Sequence, residues 1–135
     1  FTKIASFSGS FWMDSPFIWE WMKDKKTQQR IYLDSGDSCS NGHRSYQADN
    51  LSYVDRTHAF LVELGFKSAS PVNHVEGEPL IEELEFLYWN DDMNIPMDDL
   101  FFIVGKGHKH NEEAWKQRLS VALRFLFPSK SLETV

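Results

Sequence analysis

Cysteine is nearly absent from this sequence: Cys39 is the single one among 135 residues. One thiol makes neither an intrachain disulfide nor a multi-cysteine zinc cluster, so the fold is not covalently stapled. No basic side chain flanks Cys39 to activate it as a thiolate. Seven Gly and five Pro are too few for a collagen-like or low-complexity chain. No apolar run approaches the roughly 18 residues of a membrane-spanning helix, so no membrane span is expected. Basic residues are also in deficit, with 14 Lys and Arg against 20 Asp and Glu, a net charge of −6. That balance lacks the basic surface needed to neutralise phosphates, so nucleic acid is not an expected partner. What the chain does have is 41% hydrophobic and 15% aromatic residues, enough to fill the core of one domain.

Along the chain, apolar strands alternate with helical patterns. Thr2 to Ser8 fits a buried strand, bounded by Gly9 and Ser10. Asp14-Ser15-Pro16 places a cap before a helical Pro, and Phe17 to Lys23 fits a short helix. Gln29 to Asp34 reads as a second strand, nearly continuous in apolar residues and ended by Gly36. From Asp49 the spacing of Leu51, Val54, His58, Leu61 and Leu64 is helical, and Gly65 stands where a left-handed cap belongs. Pro71 to Val75 allows a short strand, and Leu100 to Val104 is a buried one. Asn111 then caps a last helix whose apolar face is read as Trp115, Leu119, Ala122, Leu123 and Leu126, closed by Pro128. The alternation implies a mostly parallel α/β sheet flanked by helices. Its first strand, at Thr2, would leave an edge and an apolar face uncovered unless earlier strands complete the sheet.

Loops at the carboxyl ends of parallel strands carry function in such sheets. Three stand out: Gly9 to Asp14, the acid-rich Asp34 to Asp49, and Gly105 to Asn111 with His108 and His110. A carboxylate after one strand and a histidine after a later one follow the Ser, Asp or Glu, His order of α/β-hydrolases. In that chemistry the imidazole takes the proton of the nucleophile, and the carboxylate fixes its tautomer.

Three segments carry a closer likeness. IASFSGSFW (Ile4 to Trp12), IYLDSG (Ile31 to Gly36) and GHKHNEEAWKQRLSVALRFLF (Gly107 to Phe127) resemble, in order, the C-terminal half of the esterase D-like and enterochelin esterase-like α/β-hydrolases. The resemblance implies the C-terminal half of one such domain over residues 1–135, which needs an N-terminal half as partner and acts on a small-molecule ester. It implies a serine esterase in which this chain supplies the acid and histidine of a Ser-Asp-His triad. The Gly-x-Ser-x-Gly elbow is absent, and Ser8 and Ser10 fall after it in the family's order, so the nucleophile is expected upstream. A second departure is the acidic stretch at about 76–99. It is read as an insertion, with Leu80 to Trp89 partly packed as a short helix and its acids facing water.

By this resemblance His110 is the catalytic histidine, and His108 is read as an exposed loop residue. The acid is Asp49, at the start of a helix where it also fits an N-cap, or Asp37, directly after Gly36. Asp34 is read as securing the loop. Trp12 is the candidate substrate-binding aromatic, since its turn borders the site in the family's fold. No metal or other cofactor is expected: His108-x-His110 follows a Gly-x-Gly break rather than lying on a strand. The acidic stretch lacks a spaced calcium loop. The reading from another class is a non-catalytic interaction module that keeps this fold.

Overall fold

A computed structural model of the chain describes residues 3–9, 20, 29–38, 46–68, 73–77, 89–90, 95–96 and 99–127. Three parallel strands form the frame: β1 (Lys3–Phe7), β2 (Arg30–Gly36) and, later in the chain, β6 (Leu100–Lys106). Helices α1 (Tyr46–Glu63) and α2 (Glu112–Leu126) pack against them. A short parallel strand, β3 (Asn73–Glu76), adds to the free side of β6, so the order across the sheet is β1-β2-β6-β3. This small α/β unit follows from the alternating pattern of the sequence.

The two-residue period of the strands sorts the core into two halves. Ile31 and Leu33 of β2 and Leu100, Phe102 and Val104 of β6 meet Val54 and Leu61 of α1 on one face. Tyr32 of β2 and Phe101 and Ile103 of β6 meet Val121, Ala122, Phe125 and Leu126 of α2 on the other. Both central strands are buried along nearly their whole length, which explains their unbroken apolar runs. β1 is different. It lies at the edge, with Lys3 and Ala5 exposed.

Gly65 ends α1 as the sequence suggests, at φ 97°. Its N–H donates to the Val62 carbonyl at 2.9 Å, and that of Phe66 to Leu61 at 3.1 Å, the paired bonds of a glycine-terminated helix. The helix begins at Tyr46, so Asp49 stands within its first turn rather than at the N-cap. Asn111 caps α2 by accepting the Ala114 N–H at 3.0 Å, and Glu112 and Glu113 occupy the first turn.

One sequence reading changes here. The sheet-facing row of α2 is Ala114, Arg118, Val121, Ala122, Phe125 and Leu126, while Leu119 and Leu123 are 45% and 50% exposed. The helix is turned to bring Arg118, not Leu119, against the sheet. Within the acidic stretch, Glu76 belongs to β3, and β4 (Trp89–Asn90) pairs antiparallel with β5 (Ile95–Pro96), so Trp89 is extended. Residues 80–88, where part of the stretch is expected to pack as a short helix, lie outside the described residues. So do Trp12, Cys39, Pro128 and all of the expected Phe17 to Lys23 helix except Glu20, which is helical.

Candidate functional site

The carboxyl ends of β1, β2 and β6 meet the start of α2 around one buried ion pair. Asp34 continues the Tyr32 face of β2, so its side chain points under α2 rather than toward α1. Arg118 grips it with two bonds, Nε to Oδ2 at 2.8 Å and Nη2 to Oδ1 at 3.1 Å. Both side chains are 0% exposed. The remaining acceptor sites of Asp34 are also used: Tyr32 donates its hydroxyl to Oδ2 at 2.9 Å and the Ser8 N–H reaches Oδ1 at 2.9 Å. Two buried charges tolerate loss of water only when each is saturated in this way. Tyr32 is held far above its ordinary pKa by burial first and the Asp34 charge second, so it stays a neutral donor.

Ser8 pays for this arrangement with backbone strain. Its φ is 50°, in the left-handed region that non-glycine residues avoid. The two hydrogen bonds to Asp34, one to its carbonyl at 3.0 Å and one to its carboxylate, hold it there. The Ser8 hydroxyl accepts from Arg118 Nη2 and from Trp115 Nε1, each at 3.3 Å.

Arg118 spends a further donor on a histidine: Nη1 lies 2.7 Å from His108 Nδ1. A guanidinium only donates, so Nδ1 accepts and the neutral His108 carries its proton on Nε2. That nitrogen is buried and has no partner of hydrogen-bonding geometry among the described residues. A general base needs an unprotonated nitrogen facing its substrate, and His108 offers none in this arrangement. The residue is also only 5% exposed, which corrects the reading of an exposed loop residue. Burial, then the Arg118 charge, lower its pKa below the ordinary 6.5; the Gly77 backbone and the Asp34 and Asp37 carboxylates oppose.

This neutral histidine sets a pH limit. The unfolded chain takes up a proton near pH 6.5 that folded His108 refuses until lower pH. Its contribution is therefore whole above the unfolded value and is lost as pH falls toward the folded one. His58, lowered chiefly by burial, adds to the same limb. Urea denaturation at about pH 7.5 and about pH 5.5 should show a larger loss in the native protein than in His108→Asn, which keeps an acceptor for Arg118. Equal losses would mean that His108 is not the group responsible.

His110 stands two residues on, half-buried, with its ring edge-on to Trp115 at 5.2 Å and 86°. Asp37 sits across from the histidine loop. Its Oδ1 accepts the Gly107 N–H at 2.7 Å and the Ser38 hydroxyl at 3.3 Å. Its own N–H reaches the Gly105 carbonyl at 3.1 Å, and Ser38 N–H reaches that of His108 at 3.2 Å. The loop after β2 is thus joined to the loop after β6, with Asp37 in one and His110 in the other. The structure brings Asp37 and the histidine loop together; Asp49 lies in α1, and its side chain falls outside the described part of the chain.

Sequence reasoning missed Arg118 and the role of His108. The signal was present: Arg118 falls in the helical row with Ala114, Val121 and Phe125, where a charge needs a buried partner. Among the described residues no group of three His, Cys, Asp or Glu side chains could hold a metal ion, and no helix is long and apolar enough to cross a membrane. The chain matches no protein-family model, no curated protein and no solved structure.

Proposed function

We propose that this chain is the C-terminal part of a serine esterase domain of the α/β-hydrolase kind, with His110 as general base and Asp37 as the acid that orients it. The observation that carries the reading is the hydrogen-bonded junction of Asp37 with Gly107, three residues before His110. The acid loop follows β2 and the histidine loop follows β6, strands that are direct neighbours in register Gly36 to Gly105. The acid-before-histidine order and the adjacency of the two loops support that part of a Ser, Asp, His triad.

The serine would come from a segment preceding this one. The 135 residues contain no Gly-x-Ser-x-Gly, and the outer edge of β1 is unpaired among the described residues. His110 leans on Trp115, whose indole reaches Ser8 at the end of β1, so the base stands on the side from which such a segment would approach. In the complete enzyme the serine hydroxyl attacks the ester carbonyl while His110 takes its proton. The alcohol then leaves with that proton, and water hydrolyses the acyl-enzyme by the same route.

Asparagine at the acid position separates the two candidates. In the protein with its upstream segment, Asp37→Asn should lower turnover of a small ester by about 100-fold or more, since the imidazole loses the group that fixes its tautomer. Asp49→Asn should leave turnover nearly unchanged. The reverse outcome moves the acid to α1. No turnover by the native protein favours the interaction-module reading.

A further inference from the structure

We propose that His108 is a positioning residue for His110: locked into the space beside Gly105 and held by Arg118, it fixes the loop that carries the base. The proposal deepens the hydrolase reading above and rests on it for its catalytic meaning.

The seat of His108 is built on three sides. A Cβ at Gly105 would collide with His108 Cγ and Nδ1 and come within 2.8 Å of its Cβ, so the ring occupies the room that this glycine leaves. The His108 N–H closes a turn on the Gly105 carbonyl at 3.2 Å, and Gly107 between them takes φ 75°. The third side is Arg118, which is itself immobilised by Asp34, and Asp34 by Ser8 and Tyr32. The anchor therefore reaches β1, β2 and α2 at once.

Beyond His108 the next fixed point is Asn111, which caps α2 through its side chain and accepts the Trp115 N–H on its carbonyl at 3.1 Å. Only Lys109 and His110 lie between these two anchors. The His110 ring then rests on Trp115, whose indole N–H is bonded to the Ser8 hydroxyl that Arg118 also holds. One cluster thus fixes the backbone before His110 and the aromatic surface under it. A catalytic group displaced by about 1 Å can lose about 100-fold in rate.

His108 needs only an acceptor for Arg118, and an asparagine carbonyl can provide one. The test uses the protein with its upstream segment and reads two things: the His110 ring protons by NMR, displaced by the ring current of Trp115, and kcat against KM on a small ester. His108→Ala should move the His110 resonances toward their free positions and lower kcat by about 100-fold, with KM little changed. His108→Asn should restore both in large part. Should the alanine variant fail to fold, Arg118→Lys, which keeps the charge beside Asp34 but loses the fork, should move the same resonances. Unchanged His110 resonances in His108→Ala, or in Arg118→Lys, would overturn the proposal. So would an asparagine variant as impaired as the alanine one, the behaviour of a catalytic base. If the native protein turns over no ester, the hydrolase reading fails, and the resonances still decide whether His108 positions His110.

Discussion

Replacing Arg118 with methionine should lower the stability of the protein by about 3–5 kcal/mol, the loss seen when one partner of a buried ion pair is removed. Methionine fills much of the volume and keeps the helix propensity, so packing and backbone change little. What changes is electrostatic. Asp34 is 0% exposed and, among the described residues, keeps the Tyr32 hydroxyl and the Ser8 N–H as donors once the guanidinium is gone. Its uncompensated charge, or the proton it must take up, carries most of the loss. His108 and Ser8 lose a donor as well. Adding Asp34→Leu to Arg118→Met should recover part of the stability, because no stranded charge then remains. Chemical denaturation of the two single variants and the double variant checks this as a cycle. A single-variant loss under about 1 kcal/mol would show that the pair is not buried as described.

Replacing His110 with alanine should abolish ester turnover to within the residual level left by binding and the oxyanion hole, a fall of about 10⁴-fold or more. The magnitude follows from the unit behaviour of a triad, in which loss of the base leaves the serine hydroxyl un-ionised at neutral pH. The variant should fold, since His110 is half-buried and lies in the loop before α2 rather than within a strand or helix. The neighbouring histidine gives the internal control. His108 keeps its protonated nitrogen buried, with the Gly77 backbone near the ring, and turns the accepting one to Arg118, so its removal disturbs position rather than proton transfer. Its effect on turnover should be far smaller. Equal losses at the two positions would reverse the assignment.

The strands were legible from residue pattern because β2 and β6 are buried on both faces and their apolar runs leave no other reading. The caps were legible too: Asn111 and Gly65 do what their chemistry favours. The orientation of α2 was not. Counting apolar residues selects Leu119 and Leu123 and passes over Arg118, because a hydropathy pattern treats a buried, fully paired guanidinium as surface. For the same reason the two histidines could be named but not sorted. His108 is buried by a glycine three residues earlier in sequence and an arginine ten residues later, a relation that exists only after folding. The acid shows the same limit. Asp37 and Asp49 are both plausible by position in the chain, and only the pairing of β2 with β6 brings Asp37 to Gly107.

We propose that this chain lends an acid and a base to a serine it does not itself contain. An organophosphonate that reacts with activated serines decides this, followed by peptide mass mapping of the protein with its upstream segment. One adduct is expected, on a serine outside Phe1–Val135, formed rapidly by the native protein and lost or greatly slowed in His110→Ala. No adduct, or an adduct on a serine within these residues such as Ser8 or Ser68, would contradict it.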